Sequence, residues 1–345
     1  MHPLARSSLR IFAGVVLGLL LMFGAALWYC IPMPGAALSG LPPPLSAGER
    51  QAAVELRRHV EELAGELGER RATLGDSLRR AEDYLRGELS PLAALPGVTL
   101  TREPLRHAPG DPANLVLDLR GRTPGPLVLI GAHYDSAPGG TPAANDNASG
   151  TAAALVLAQR LAHVAHTLPI RIVLFANEEM PYFGSETMGS LQHARACKQR
   201  GEQLRAMFSL ETMGYYSDEP GSQRYPPPLS RLYPDRGNFV GFVGNLSSRA
   251  LVRESIGRFR THATIASEGA ALPAGLPGVG WSDHWAFWQV GYPAVMITDT
   301  AFYRDPNYHQ LSDTPDQLDF DRLARVVVGL NSTVLELAAA DERTR

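Results

Sequence analysis

Lysine is almost missing from this chain: Lys198 is the only one, and every other basic residue is arginine. That is read as a compositional bias without function. Cysteine occurs only at Cys30 and Cys197, which excludes a cysteine-rich metal site. Cys30 lies in an apolar N-terminal run, so a disulfide between the two is not expected. There is no excess of positive charge: 32 basic residues face 35 acidic ones, for a net charge of -3. This leaves no electrostatic case for a nucleic-acid partner. No internal repeat is present. Any metal in this protein must therefore be held by histidine and carboxylate side chains.

What is there is an ordinary globular balance over 345 residues, 45% hydrophobic and 19% charged, enough for one large domain and a small accessory segment. Charge of either sign is absent from Ile11 to Ile31. As a helix this run would span roughly 30 Å, the thickness of a bilayer core. Arg6 and Arg10 precede it and no charge follows until Glu49. The positive-inside rule then places residues 1–10 in the cytoplasm and the main domain outside, periplasmic or extracellular. Trp28 and Tyr29 would sit at the far interface. The rival reading is a cleaved signal peptide ending near Ala37–Ser39. The length of the apolar run favours an uncleaved transmembrane anchor over 11–31, and both readings export the main domain.

Residues 32–47 are rich in Pro, Gly and Ala and read as a linker. The main domain is expected over 48–345. Its first part, 48–92, has helical periodicity, with many Arg and Glu residues expected on a solvated face. Strands are expected at Val98–Leu105, Asn114–Leu119, Leu127–Ala132, Ile170–Ala176, Met207–Leu210, Asn238–Val243 and Tyr292–Thr298. Helices are expected at Ser149–His163, Gly184–Arg195, Ser247–Thr261, Gly280–Gln289 and Phe320–Ala339. The proline-rich stretch 218–235 is a surface loop. This alternation argues for a layered α/β fold with a largely parallel central sheet.

Three of the apolar strands end in polar residues of one chemical kind. The first ends in His133-Tyr134-Asp135, the second runs into Glu178-Glu179, and the third stops at Glu211. In open α/β sheets the ligand site lies at the carboxyl ends of the strands, so these residues converge on one edge. Unpaired carboxylates there would repel one another and raise each other's pKa. A divalent cation removes that cost, and oxygen plus imidazole ligands suit zinc. A glycine- and proline-rich loop adds Asp146 just before a helix. Asp135 lies two residues beyond His133 on the same side of an extended chain, placed to orient the imidazole. In the Glu178-Glu179 pair one carboxylate can bind metal while the other accepts a proton from water. The remaining imidazole comes from His309, with His284 as its competitor. His2, His59, His107, His163, His166, His193 and His262 sit in polar or helical contexts. Asn147-Ala148-Ser149 matches a glycosylation acceptor, but its place in the site loop argues against that use.

The pieces GAHYDS (131–136), NDNASG (145–150), ANEE (176–179), SLETMGYY (209–216), GNFVGFVGN (237–245), SDHWAFWQVGYPAVMITDT (282–300) and YHQLSDTPDQLD (308–319) resemble the M28 family of zinc peptidases. This is the aminopeptidase group related to glutamate carboxypeptidase and to glutaminyl cyclases. The resemblance runs from about Asn114 to the C-terminal helix. It implies a three-layer zinc-dependent exopeptidase fold with a mixed, largely parallel sheet. It also implies two Zn2+ ions per chain bridged by Asp146, one completed by His133 and Glu211 and the other by Glu179 and His309. Glu178 would then be the general base, and Asp135 would orient His133. Asp283 matches a position near the site in the cyclases. Many members carry Asp where this chain has Glu211, so the set around His133 departs from the family pattern.

The expected activity is a metallo-exopeptidase, an aminopeptidase acting on peptides. The alternatives are a single-zinc glutaminyl cyclase and a non-catalytic membrane-tethered binding domain. Tyr216–Asp235 and Ser267–Val279 are expected to wall the substrate pocket, with Trp281, Trp285, Tyr303 and Tyr308 as aromatic candidates and core packing the favoured role for Trp285.

Overall fold

The structure is a computed structural model and describes residues 3–339, without the side chains of 3–11, 13 and 23. The elements, in chain order, are α1 (Pro3–Cys30), α2 (Ala47–Val60), α3 (Ser77–Leu89), β1 (Val98–Pro104), β2 (Ala113–Leu119), β3 (Leu127–His133), α4 (Gly150–Ala162), β4 (Ile170–Phe175), α5 (Gly189–Gln199), β5 (Leu204–Glu211), β6 (Phe239–Asn245), α6 (Arg249–His262), β7 (Ala266–Leu272), α7 (His284–Gln289), β8 (Val295–Thr298) and α8 (Phe320–Leu337). The strands form one eight-stranded sheet in the order β1-β2-β4-β3-β5-β8-β6-β7. Its centre is parallel: β3 pairs with β4 and β5, and β5 with β8. β1, β2 and β4 pair antiparallel, as do β6 and β8, so the sheet is mixed.

β3 and β4 are apolar along almost their whole length because both sheet faces are covered. On one face α2, α3, α4, α6 and α8 bury the larger core around Leu56, Leu85, Leu155, Phe259 and Leu323. On the other, α5 and α7 cover Leu129, Val173, Phe175 and Met207. The result is three layers. Strands of this kind expose nothing polar until they leave the sheet, so the first polar residues appear together at one edge.

Several expectations need correction. The segment 48–92 is not one helix: α2 continues into a π-helical stretch over Glu61–Glu66, irregular chain follows, and α3 leads into a 3-10 turn over Ser90–Ala94. Its charged residues are not all solvated: Arg70, Glu49 and Glu82 are buried. Residues 266–272 form the edge strand β7 within a stretch read as pocket-wall loop. α5 begins at Gly189 rather than Gly184, because Pro181 and Gly184 hold the preceding chain in turns. Finally, the segment expected as a linker lies against the domain. Arg253 donates to the carbonyl of Pro32, Arg260 to those of Pro34 and Gly35, and Arg325 to that of Pro43, while Arg249 donates to Tyr29 at the end of α1.

The N-terminal run is helical, as α1, for 28 residues. No helix among the described residues is long and apolar enough to cross a membrane. The expected span 11–31 includes Ile11, Ala13 and Phe23, whose side chains lie outside the described set. Both cysteines are free.

Candidate metal centre

β3, β4 and β5 are neighbours, and their carboxyl ends deliver His133, Glu178-Glu179 and Glu211 to one place. Asp146 reaches the same place from the loop before α4, and His309 from the loop after β8. Five of these six side chains are buried; His309, at 37% exposure, stands at the mouth. Asp146 lies between the two imidazoles, with Oδ1 3.3 Å from His133 Nε2 and Oδ2 2.9 Å from His309 Nε2. Glu211 Oε2 is 3.4 Å and Glu178 Oε2 3.8 Å from His133 Nε2. Glu179 Oε1 is 3.4 Å from His309 Nε2.

Two compact donor sets result, His133–Glu178–Glu211 and Asp146–Glu179–His309. His133 Nε2, both Asp146 oxygens and Glu179 Oε1 are buried without a hydrogen-bond partner among the described residues. Buried polar atoms are rarely left so. Several of them converging on one space, with nitrogen and oxygen donors only, fit a divalent zinc-type cation.

The support around these donors is extensive. Asp135 Oδ1 and Oδ2 accept the N–H groups of Glu178 and Glu179, at 3.1 and 3.0 Å. Its carboxylate is 3.5 Å from His133 Nδ1, whereas its main-chain carbonyl is at 3.2 Å and accepts that proton. His133 thereby keeps Nε2 free for the centre. Asp135 thus fixes the glutamate pair at least as firmly as the imidazole. Glu211 is held by Ser282, whose hydroxyl donates to Oε2 at 2.7 Å. Asp313 accepts the N–H groups of Asn145 and Asp146, and the Asn145 amide donates to Asp299 and Asp305. Asn147 donates to the Leu210 carbonyl and accepts from Thr212 N, tying the Asp146 loop to the end of β5. Asn147 is fully buried, in keeping with the expectation that it is no glycosylation acceptor. Fully buried Arg70 donates to the carbonyls of Leu63, Gly68, Tyr134, Pro142 and Ala143.

Arg70, Asp313 and Ser282 carried no assigned role in the sequence. The last two lie inside recognisable motifs and could have been found there; Arg70 lies in a charge-rich segment with no such signal. His284 does not reach either donor set. Its Nε2 bonds the Val279 carbonyl, its ring packs edge-on against Trp288, and burial pushes its pKa down to about 4. Asp283 is also fully buried, and neither oxygen meets a hydrogen-bond partner. Burial, against the pull of His133, pushes its carboxyl up to about 7.

The electrostatics show the same crowding. Burial raises Glu178 well above the ordinary carboxylate range, helped by Glu211 and Glu179 and opposed by His133. Burial and nearby Asp146 push Glu179 up to about 7. Burial works against the charged form of His309, but Asp146 and Glu179 outweigh it and lift the imidazole to about 10. Burial also opposes Asp146, but the two imidazoles hold it below the usual range.

Beside the centre lies a cleft with Glu211 on its wall. Trp281, Tyr303 and Tyr308 line it. Trp285 instead packs against Phe183 beside the core of the α5–α7 face.

The family profile of peptidase family M28 matches residues 114–330. The chain belongs to peptidase family M28. An uncharacterized Escherichia coli protein, YfbL, is 37% identical over 284 residues, covering 80% of this M28 chain and 85% of its own. A probable leucine aminopeptidase of Trichophyton verrucosum is 27% identical over 246 residues, 65% of this chain; the match spans only 58% of that relative's length. Among solved structures, the LapA aminopeptidase of Legionella pneumophila superposes with a TM-score of 0.66 at 17% identity, covering 90% of this chain and 78% of that one. A glutaminyl cyclase of Fimbriiglobus ruber does so with a TM-score of 0.58 at 18% identity, covering 88% and 99%. At such identities these two likenesses establish the fold: a mixed α/β exopeptidase-type sheet.

Proposed function

We propose that this M28 peptidase is a two-zinc aminopeptidase. The observation that carries the reading is the position of Asp146, with one oxygen turned to each of two histidines. His133, Glu211 and Asp146 would hold one ion, and Glu179, His309 and Asp146 the other. Asp146 is closer than Glu178 to His133 Nε2, and on this reading Glu178, although within reach of that donor set, acts as the base rather than as a ligand. Bound zinc would polarise the scissile carbonyl and make water a better nucleophile near neutral pH.

The chain's own residues do the rest. Asp135 fixes the backbone of Glu178 through its N–H. Burial makes the Glu178 carboxylate a stronger base than an exposed glutamate. Glu178 takes the proton of the attacking water and returns it to the leaving amine. The His133 imidazole, its Nδ1–H committed to the Asp135 carbonyl, stays in one tautomer throughout. The leucine aminopeptidase and LapA likenesses favour removal of N-terminal residues. The second reading is a one-zinc glutaminyl cyclase; the compact Asp146–Glu179–His309 set at the mouth and the cyclase likeness support it.

Zinc should be counted on purified protein that is then offered peptides blocked at either end and peptides beginning with glutamine. About two zinc ions with release of N-terminal residues supports the aminopeptidase. One zinc with cyclisation of N-terminal glutamine supports the cyclase. The charge-free run 11–31 after Arg6 and Arg10 further suggests an anchor with the catalytic domain outside the cytoplasm. Recovery of the full chain in the membrane fraction tests that; recovery in the soluble fraction contradicts it.

A further inference from the structure

Four strands carry one row of residues across the sheet. Glu211 on β5 lies opposite Thr298 on β8, Thr298 opposite Gly241 on β6, and Gly241 opposite Glu268 on β7. Three interstrand steps separate the two glutamates by roughly 14 Å. All four residues of this row, Glu211, Thr298, Gly241 and Glu268, line the cleft beside the metal centre. Between them its wall is almost wholly apolar, with Met296, Val243 and Phe239 among the lining side chains, and Gly241 puts no side chain over the middle.

Glu268 is the only acidic residue lining the cleft besides Glu211 among the described residues. Its side chain is 26% exposed and accepts no hydrogen bond from any of them. The nearest cation, Arg260, is 3.9 Å away. Its donors go to Ser267 and to the carbonyls of Pro34 and Gly35 instead. The other charged residue on the wall, Arg224, is exposed and donates to the Phe302 carbonyl. The two nearby phenols are also committed, Tyr225 to Pro234 O and Tyr233 to Gly269 O. Burial raises the Glu268 pKa, with Arg260 opposing, as expected of a carboxylate that lacks a full partner.

We propose that Glu268 is a specificity residue that selects peptides whose first side chain is lysine or arginine. The inference rests on the aminopeptidase reading. The alkyl stem of such a residue lies along the apolar wall, and its cation meets the carboxylate at the far end in a charge-assisted hydrogen bond. Leucine or phenylalanine fills the near part of the cleft and leaves Glu268 without a partner.

The test compares lysyl and norleucyl p-nitroanilides, which share the four-carbon stem and differ at the ammonium group. With zinc-loaded full-length protein, kcat/KM for the lysyl substrate should exceed that for the norleucyl one about tenfold or more. Glu268→Gln should bring that ratio close to one, and Glu268→Asp should keep part of it. Partial misfolding lowers both rates together and leaves the ratio alone. A wild-type ratio near one, or a lysyl preference that survives Glu268→Gln, overturns the proposal while leaving the aminopeptidase reading in place. Cleavage of neither anilide overturns both.

Discussion

The two donor sets of this centre are built from the same side-chain chemistry but differ in depth and support. His133, Glu178 and Glu211 are all buried, and Ser282 holds Glu211 from behind. Asp146, Glu179 and His309 open to the surface through His309, and, like His133 Nε2, neither Asp146 oxygen nor Glu179 Oε1 has a hydrogen-bond partner among the described residues. In the first set His133 and Glu211 end β3 and β5, and Glu178 follows just beyond β4. The second depends on a loop pinned by Asp313 and on a histidine carried by the loop after β8. A donor set on strand ends is positioned by the sheet itself. One on loops needs its own scaffold of hydrogen bonds, and here that scaffold is Asp313, Asn145, Asn147 and Arg70.

Asp146 also lies 3.3 Å from His133 Nε2, so changing it should disturb both sets. Asp146→Asn is expected to lower zinc content in both positions and to reduce turnover by at least about 10³-fold, measured by metal analysis and kcat/KM on one sample. Retention of one full zinc would mean that Asp146 serves only one position.

A milder change should separate the sets. Ser282→Ala removes the donor to Glu211 and touches nothing around His309. Zinc affinity at the buried position should fall about tenfold, seen as one weakened phase in a chelator titration while the other phase stays put.

A further effect lies in the metal-free protein. Glu179, pushed up to about 7, and His309, lifted to about 10, both bind protons more tightly folded than unfolded. The folded state therefore holds extra protons, and stability falls as pH rises. For Glu179 the loss runs between about 4.5 and 7. For His309 it runs between about 6.5 and 10. The Tm of chelated protein should decline from about pH 5 to 9, and zinc should flatten that decline. An equally steep decline with zinc bound would show that these groups do not carry it.

Much of the centre is legible in the amino-acid sequence. Strands buried on both faces read as apolar runs, and such a run stops where the sheet does, so His133, Glu178, Glu179 and Glu211 mark one edge. The ring of support is not legible in this way. Arg70 sits among surface-like arginines and glutamates, and only the fold shows that five main-chain carbonyls surround it. β7 is hidden because ASEGAAL, at the sheet edge, has neither a long apolar run nor a clean alternation. The docking of residues 32–47 is hidden because proline- and glycine-rich chain looks flexible until its partners, arginines far along the sequence, are known. His309 is preferred to His284 in the sequence, and in the fold His284 lies away from both donor sets and spends its Nε2 on Val279.

In the proposed mechanism Glu178 is a base rather than a ligand, and one variant separates the two roles. Glu178→Gln keeps the size of the side chain and removes its proton-accepting charge. On this account the variant binds about as much zinc as the wild type, while kcat falls by roughly 10²- to 10⁴-fold. A variant that keeps its zinc and turns over substrate at close to the wild-type rate would contradict it.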